Sequence, residues 1–89
     1  MYEWTSSATE RLAAAIGADA AVYALTDRDI EILLDLARVA AHHSGAKSNA
    51  PLICYLVGLA HGRNPDRELS DLARPVTEGS TPTEGSTPR

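Results

Sequence analysis

His42 to Gly62 reads HHSGAKSNAPLICYLVGLAHG. Two explanations compete for it: a ligand site built from histidine and cysteine, or the junction between two helices. The local chemistry favours the junction. Gly45 is a helix stop, because glycine alone enters the left-handed conformation of a helix end at little cost. Asn49 is suited to an N-cap and Pro51 to the first turn that follows. From Leu52 to Ala60 the residues are apolar nearly all round, which predicts the central and most buried helix of an all-helical core. Gly62 closes it.

Working back from the junction, a helix is predicted from Thr26 to Gly45. Thr26 is an N-cap, and Asp29 stands where a capping box needs a side-chain acceptor. Leu25 and Ile30 occupy the staple positions. Asp27, Asp29 and Glu31 lie near the positive end of the helix dipole, and Arg38, His42 and His43 toward the negative end. Ile30, Leu33, Leu34, Ala37, Ala40 and Ala41 form its apolar face. A first helix from about Tyr2 to Ile16 carries the stripe Trp4, Ala8, Leu12, Ala15 and Ile16 and ends at Gly17. Ala18 to Leu25 is a connector with room for one helical turn, whose Val22, Tyr23 and Leu25 are expected to pack down.

Beyond the junction, Asn64 and Pro65 suit the cap and first residue of a short fourth helix. It carries Leu69, Leu72 and Ala73 and is expected to stop near Pro75. No stretch alternates apolar and polar residues as a half-buried strand does. The expectation is an all-α, compact bundle of about four short helices over residues 1–76. Thr77 to Pro82 and Thr83 to Pro88 repeat TEGSTP. Such a composition cannot offset its ordering entropy by burial, which predicts a disordered tail over residues 77–89.

Composition narrows the function. The chain has 89 residues and 4% aromatics, with no Phe. A domain of this size buries only about 60% of its unfolded surface. A core built from Ala, Leu, Ile and Val therefore leaves room for a stabilising protein partner. The net charge of -4 argues against nucleic acid as a partner, which needs a basic face. The apolar run from Ala50 to Ala60 is too short for the roughly 20 residues that span a bilayer. One cysteine fits a reducing, cytoplasmic setting, and MYEWTSS has no basic region leading into an apolar run, so no secretory signal is expected.

The ligand reading of the junction is weak. His42 and His43 are neighbours, which point about 100° apart on a helix and do not share one ion easily. Cys54 sits among Ile53, Tyr55 and Leu56, where burial opposes the thiolate that a nucleophile needs. Asp27, Asp29, Glu31 and Asp35 read as a solvated face. No catalytic, metal or cofactor residue is assigned, and the reading leans away from an enzyme. The candidate contact is the turn itself: Arg38, His42, His43 and Lys47 near Asn49. Cations beside the free N–H groups of a helix start suit a phosphate or a partner's carboxylate. Gly58 and Gly62 form a G-x-x-x-G, expected to permit a close helix crossing.

LLDLARVAAH (Leu33 to His42), a short turn, and APLICYLVGLAHG (Ala50 to Gly62) together resemble a small bacterial family of unknown function. Its members carry LDLARxxAH followed by APLTxFLxGxAxG. They stand alone or extend the C-terminus of molybdenum cofactor guanylyltransferase. EW at Glu3 and Trp4 and AIG ending at Gly17 extend the resemblance over about residues 2 to 73. Ile53 stands where the family has Thr, and the turn lacks the usual Arg-Pro. Nothing here resembles the nucleotide loop of the guanylyltransferase. The resemblance implies a non-enzymatic accessory or adaptor protein in molybdenum cofactor maturation or molybdoenzyme assembly. Its partner would be a cofactor-synthesis enzyme or a molybdoenzyme subunit. Alternatives are a small structural subunit of a larger oxidoreductase, and a carrier of a small anionic ligand such as a pterin or nucleotide.

Overall fold

Among the described residues Leu36 is the only large side chain that the fold removes entirely from water, at 0% exposure. A computed structural model of the chain describes residues 2–79. Leu36 lies in α2 (Asp27–Ser44), which packs against both α3 (Asn49–Arg63) and α4 (Leu69–Gly79). Around it gather Val57 of α3 and Leu69 and Ala73 of α4, with Ile32, Leu33, Ile53, Cys54, Leu72 and Val76 half-buried at the margin. No strand occurs among the described residues, so the class is all-α as expected, with four helices.

The core face of α2 takes in most of the expected residues, since Ile30, Leu33, Ala37, Ala40 and Ala41 are buried or half-buried, but it is centred on Leu36 and Val39 and leaves Leu34 out. Ile32, Leu33, Leu36, Val39 and Ala40 turn inward, whereas Leu34 is exposed. Two apolar stripes overlap on this helix, offset by about 100° per residue. The stripe with Leu36 and Val39 is the one that meets α3 and α4 together. The start of α2 is as expected: Thr26 Oγ1 accepts from the Asp29 N–H, and Asp29 Oδ2 accepts from the Thr26 N–H, both at 3.0 Å. Gly45 ends the helix at φ 77°, and Gly17 ends α1 (Glu3–Ile16) at φ 69°.

The largest departure concerns α3. It was expected to be the central, most buried helix, but only Val57 is buried, with Ile53, Cys54 and Ala60 half-buried. Leu52, Tyr55, Leu56 and Leu59 point outward. An all-round apolar helix needs partners on all sides, and a three-helix packing supplies them on one side only. The expected close crossing at Gly58 and Gly62 is also absent: a Cβ at either position would meet nothing within 4 Å.

The fourth helix runs through Pro75 to Gly79 rather than stopping before it. Proline inside a helix costs about 3 kcal/mol. Here the stripe Leu69, Leu72, Ala73 and Val76 continues past it, and the packing of Val76 against the core offsets part of that cost. Thr77 thus belongs to a helix rather than a tail; residues 80–89, which hold most of the repeat, lie outside the described residues. Asn64 does not open α4 but closes α3, its Nδ2 donating to Ala60 O at 2.9 Å.

The connector holds a single 3₁₀ turn, Ala20–Tyr23, capped by Asp19. Val22, Tyr23 and Leu25 are exposed on it rather than packed down. The first helix packs on this turn, and no Cα of α1 lies within 8 Å of a Cα of α2, α3 or α4. The tightest packing is therefore among α2, α3 and α4, and α1 sits on the connector with a groove between it and the start of α2.

These placements separate two substitutions that helix patterning alone would equate. Leu36→Ala should destabilise the fold by about 2–5 kcal/mol through lost burial and a cavity. Leu56→Ala, at a position 55% exposed, should stay within about 0.5 kcal/mol in dilute protein, the scale of surface changes. Urea denaturation followed by circular dichroism measures both, and equal losses would contradict the placement of α3.

Candidate functional site

The residues of the charged turn do not converge on one point. His43 follows buried Val39 and Ala40 along one side of α2 but is itself exposed, while Arg38 and His42 lie on another side, since side chains three and four apart stack on one side of a helix. Arg38 pairs with Asp35 one turn back. The His42 and His43 rings stand 5.5 Å apart and tilted by 52°. Of the five sequence candidates, only His43 and Asn49 line a common surface.

That surface is a groove of about 420 Å³ where α2 ends, α3 begins and α4 ends. Val39, Ile53 and Val76 give it an apolar lining, and His43, Ser44 and Asn49 supply the polar groups. Lys47 and Arg38 lie outside the lining. Sequence reasoning missed Val76, because α4 was expected to end before it.

The start of α3 offers fewer free donors than the anion reading needs. The Asn49 N–H donates to Ala46 O and the Ala50 N–H to Lys47 O, both at 3.1 Å. Pro51 has no N–H to give. The turn thus consumes or lacks the first three donors, which leaves the side chains of His43, Ser44 and Asn49 as the groove's polar groups.

Cys54 and the third histidine are elsewhere. Cys54 Sγ donates weakly to Leu33 O at 3.8 Å across the α2–α3 contact. Burial pushes its thiol pKa up. His61 lines a separate depression with Arg28 and Asp29, at the opposite end of the α2–α3 hairpin from His43. Among the described residues no group of three or more His, Cys, Asp or Glu side chains is placed to hold a metal ion. No described helix is long and apolar enough to cross a membrane. A second groove, of about 340 Å³, lies between α1, the 3₁₀ turn and the start of α2, lined in part by Tyr2, Thr9, Leu25 and Ile30. Nothing in the sequence pattern marks it, because it depends on how α1 folds onto the connector.

The chain belongs to a family described as a domain of unknown function (DUF6457), whose model matches residues 1–85. The match covers α2, α3 and α4 and also α1, and it carries membership without an activity. No curated protein and no solved structure matches the chain.

The setting of Cys54 has a measurable consequence. A thiol raised by burial is less ionised at a given pH, so alkylation by iodoacetamide should be several-fold slower in the native chain than in urea. Its pH midpoint should lie above the ordinary cysteine value of about 8.5. A native midpoint below that value would mean that Cys54 is an activated thiol.

Proposed function

We propose that this chain is a non-enzymatic adaptor domain that works by binding other polypeptides. The observation that carries the reading is the apolar side chain left at the surface once the small core is complete: Trp4, Leu12, Ile16, Val22, Leu34, Leu52, Tyr55 and Leu56 are each more than half exposed. Monomeric proteins rarely expose contiguous apolar patches beyond a few hundred Å², and larger ones mark interaction sites. The groove beside the turn has the anatomy of a partner contact, an apolar centre with polar groups at its margin.

The resemblance of LLDLARVAAH and APLICYLVGLAHG to C-terminal extensions of molybdenum cofactor guanylyltransferase directs the proposal toward molybdenum cofactor maturation or molybdoenzyme assembly. In this reading the partner is a cofactor-synthesis enzyme or a molybdoenzyme subunit, met at the turn groove, and the chain turns over neither GTP nor molybdopterin. Arg38 and Lys47 steer the encounter from outside the groove, since rim charges act mainly on association. A structural subunit of a larger oxidoreductase is the second reading, favoured by the large apolar side chains left exposed on α1 and α3, because permanent interfaces are more apolar than transient ones.

The test is affinity capture of the tagged full chain from its own cells, read by mass spectrometry. Molybdenum-related enzymes should co-purify with it. Arg38→Ala with Lys47→Ala should slow association while circular dichroism stays unchanged, and Ile53→Glu should remove the partner. Absence of any such partner, together with normal molybdoenzyme activity in a deletion strain, would remove the pathway. A partner that stays bound to the Arg38/Lys47 double variant and is lost only on changing apolar surface residues would select the structural-subunit reading.

A further inference from the structure

Charge in this chain is sorted by position. From Leu36 to Pro65 there is no Asp or Glu, although the chain holds 12 acidic residues in all. The same stretch carries Arg38, Lys47, Arg63 and the three histidines. The turn groove is built from it, with Val76 as the contribution of α4. The acidic residues nearest in sequence to the groove walls are Asp35 and Glu78. They pair with Arg38 and Arg74 and line a different depression. The groove beside α1 has the opposite character, with Glu10 and Asp27 in its lining and no basic side chain.

We propose that the turn groove takes an acidic–aliphatic segment of a partner polypeptide, with an aliphatic side chain between Val39, Ile53 and Val76 and the neighbouring carboxylate on His43 and Asn49. That the occupant is a polypeptide comes from the adaptor reading, on which this inference rests. His43 and Asn49 are the groups free to receive a carboxylate. Ser44 spends its hydroxyl on the turn, donating to Ala46 O at 3.3 Å and accepting from the Ala46 N–H at 3.2 Å. Neither the His43 ring nor the Asn49 amide has a hydrogen-bond partner among the described residues. An imidazole N–H and an amide NH₂ together supply a donor for each oxygen of one carboxylate.

The same lining disfavours other occupants. A phosphate at a helix start is held by several backbone N–H groups. Here those of Asn49 and Ala50 are bonded within the turn, and Pro51 has none. A nucleotide base is held by stacking on aromatic faces, whereas the walls of this groove are aliphatic. A basic segment would find no carboxylate in the lining. An acidic one meets His43 and Asn49 there, and Lys47 in the turn between Ser44 and Asn49. Complementary charge of this kind selects the partner and steers its approach.

His43 makes the contact sensitive to pH. A histidine gains its charge between about pH 8 and pH 5, whereas a glutamate, with an ordinary pKa of about 4.3, stays ionised down to about pH 6. His43 is the titratable side chain in the lining. His42, with its ring 5.5 Å away, is its titratable neighbour on α2. Lys47 is the charged residue of the turn, and neither α3 nor α4 places a charged side chain in the lining. Protonation therefore adds a positive charge where the carboxylate sits, and binding tightens as the pH falls.

The experiment is a titration of the isotope-labelled full chain with a capped peptide of alternating leucine and glutamate, followed by backbone amide shifts in NMR. The amides of His43, Asn49, Ile53 and Val76 should move together and saturate by about 5 mM peptide, since a short segment makes few contacts. Binding should weaken about fivefold or more from pH 6 to pH 8. Glutamine in place of glutamate should cost about tenfold, the scale of a hydrogen bond to a charged group. Serine in place of leucine should cost about as much. Asn49→Asp sets a carboxylate in the groove and suits the dipole at the start of α3, so circular dichroism should stay native while the peptide is lost. His43→Gln should bind weakly at both pH values, and His42→Gln should keep the wild-type response. Amides that stay still at about 5 mM peptide overturn the inference. So do a glutamine or lysine peptide that binds as well, shifts confined to the groove beside α1, or inorganic phosphate that moves the same amides as far. A partner captured equally by the wild-type chain and by Asn49→Asp also overturns it, and leaves the adaptor reading standing. Peptide binding of the stated selectivity upholds it even where no molybdenum-related enzyme is captured.

Discussion

The contact between Leu36 and the residues around it holds the bundle together. Each of the three helices offers one or two side chains to it, and none has a second core to fall back on. A fully buried leucine contributes roughly 1.5–3 kcal/mol over an exposed one, and net domain stability is only about 5–15 kcal/mol. In a chain with no Phe and one Trp, burial must come from aliphatic side chains of modest size. That shortage shapes the rest of the molecule. The packing closes when three short helices meet around one leucine, and apolar residues beyond that number stay in water.

The consequence is clearest on α3. A helix that is apolar all round is stable only where its whole circumference is covered. Here α2 and α4 reach the side that carries Val57, and the opposite side remains bare. The exposed face is a remainder of the packing arithmetic, and a remainder with cut-away glycines and no charge differs from an ordinary solvated surface. Polar side chains are present nearby at His61 and Arg63, at the end of α3, yet they do not enter the face. Nothing in α2–α4 accounts for glycine at both 58 and 62 within a helix, where each disfavours helix formation by roughly 0.5–1 kcal/mol relative to alanine.

Much of this was legible in the sequence, and what was not has physical causes. Local signals read correctly because they act over one turn: the Thr26–Asp29 capping box, Gly17 and Gly45 at helix ends, and the single turn in the connector. Tertiary choices were less accessible. The α2 sequence contains two apolar stripes, and only the positions of α3 and α4 decide that Leu36 rather than Leu34 faces inward. Apolarity along Leu52 to Ala60 suggested full burial, because a pattern reports what a helix would accept and not how many neighbours exist to cover it. The local cost of Pro75 predicts a stop, yet α4 runs on to Gly79, with the packing of Val76 offsetting part of that cost. The charged turn shows the same division. Its residues were identified from composition and helix ends, but which of them share a surface depends on rotation about the α2 axis, and only His43 and Asn49 do.

Rotation about α2 also explains how so short a chain keeps its surfaces apart. The stripe that buries Leu36 continues one turn on to Val39 and Ala40, and then to His43. At that level α3 is only beginning and α4 is ending, so the interior thins from a packed core to an open groove without any change of face. The groove is therefore the end of the core, and its rigidity comes from the same contacts that hold the bundle. The bare face of α3 lies on the far side of that helix from the core. A ligand in the groove would press on Val39, Ile53 and Val76, whereas a partner on the outer face would press on Leu52, Tyr55 and Leu59. The two sets share no residue, and α3 stands between them as a wall one helix thick. Occupancy of one surface then leaves the other accessible, which is the arrangement that an adaptor requires if it is to hold two polypeptides at once.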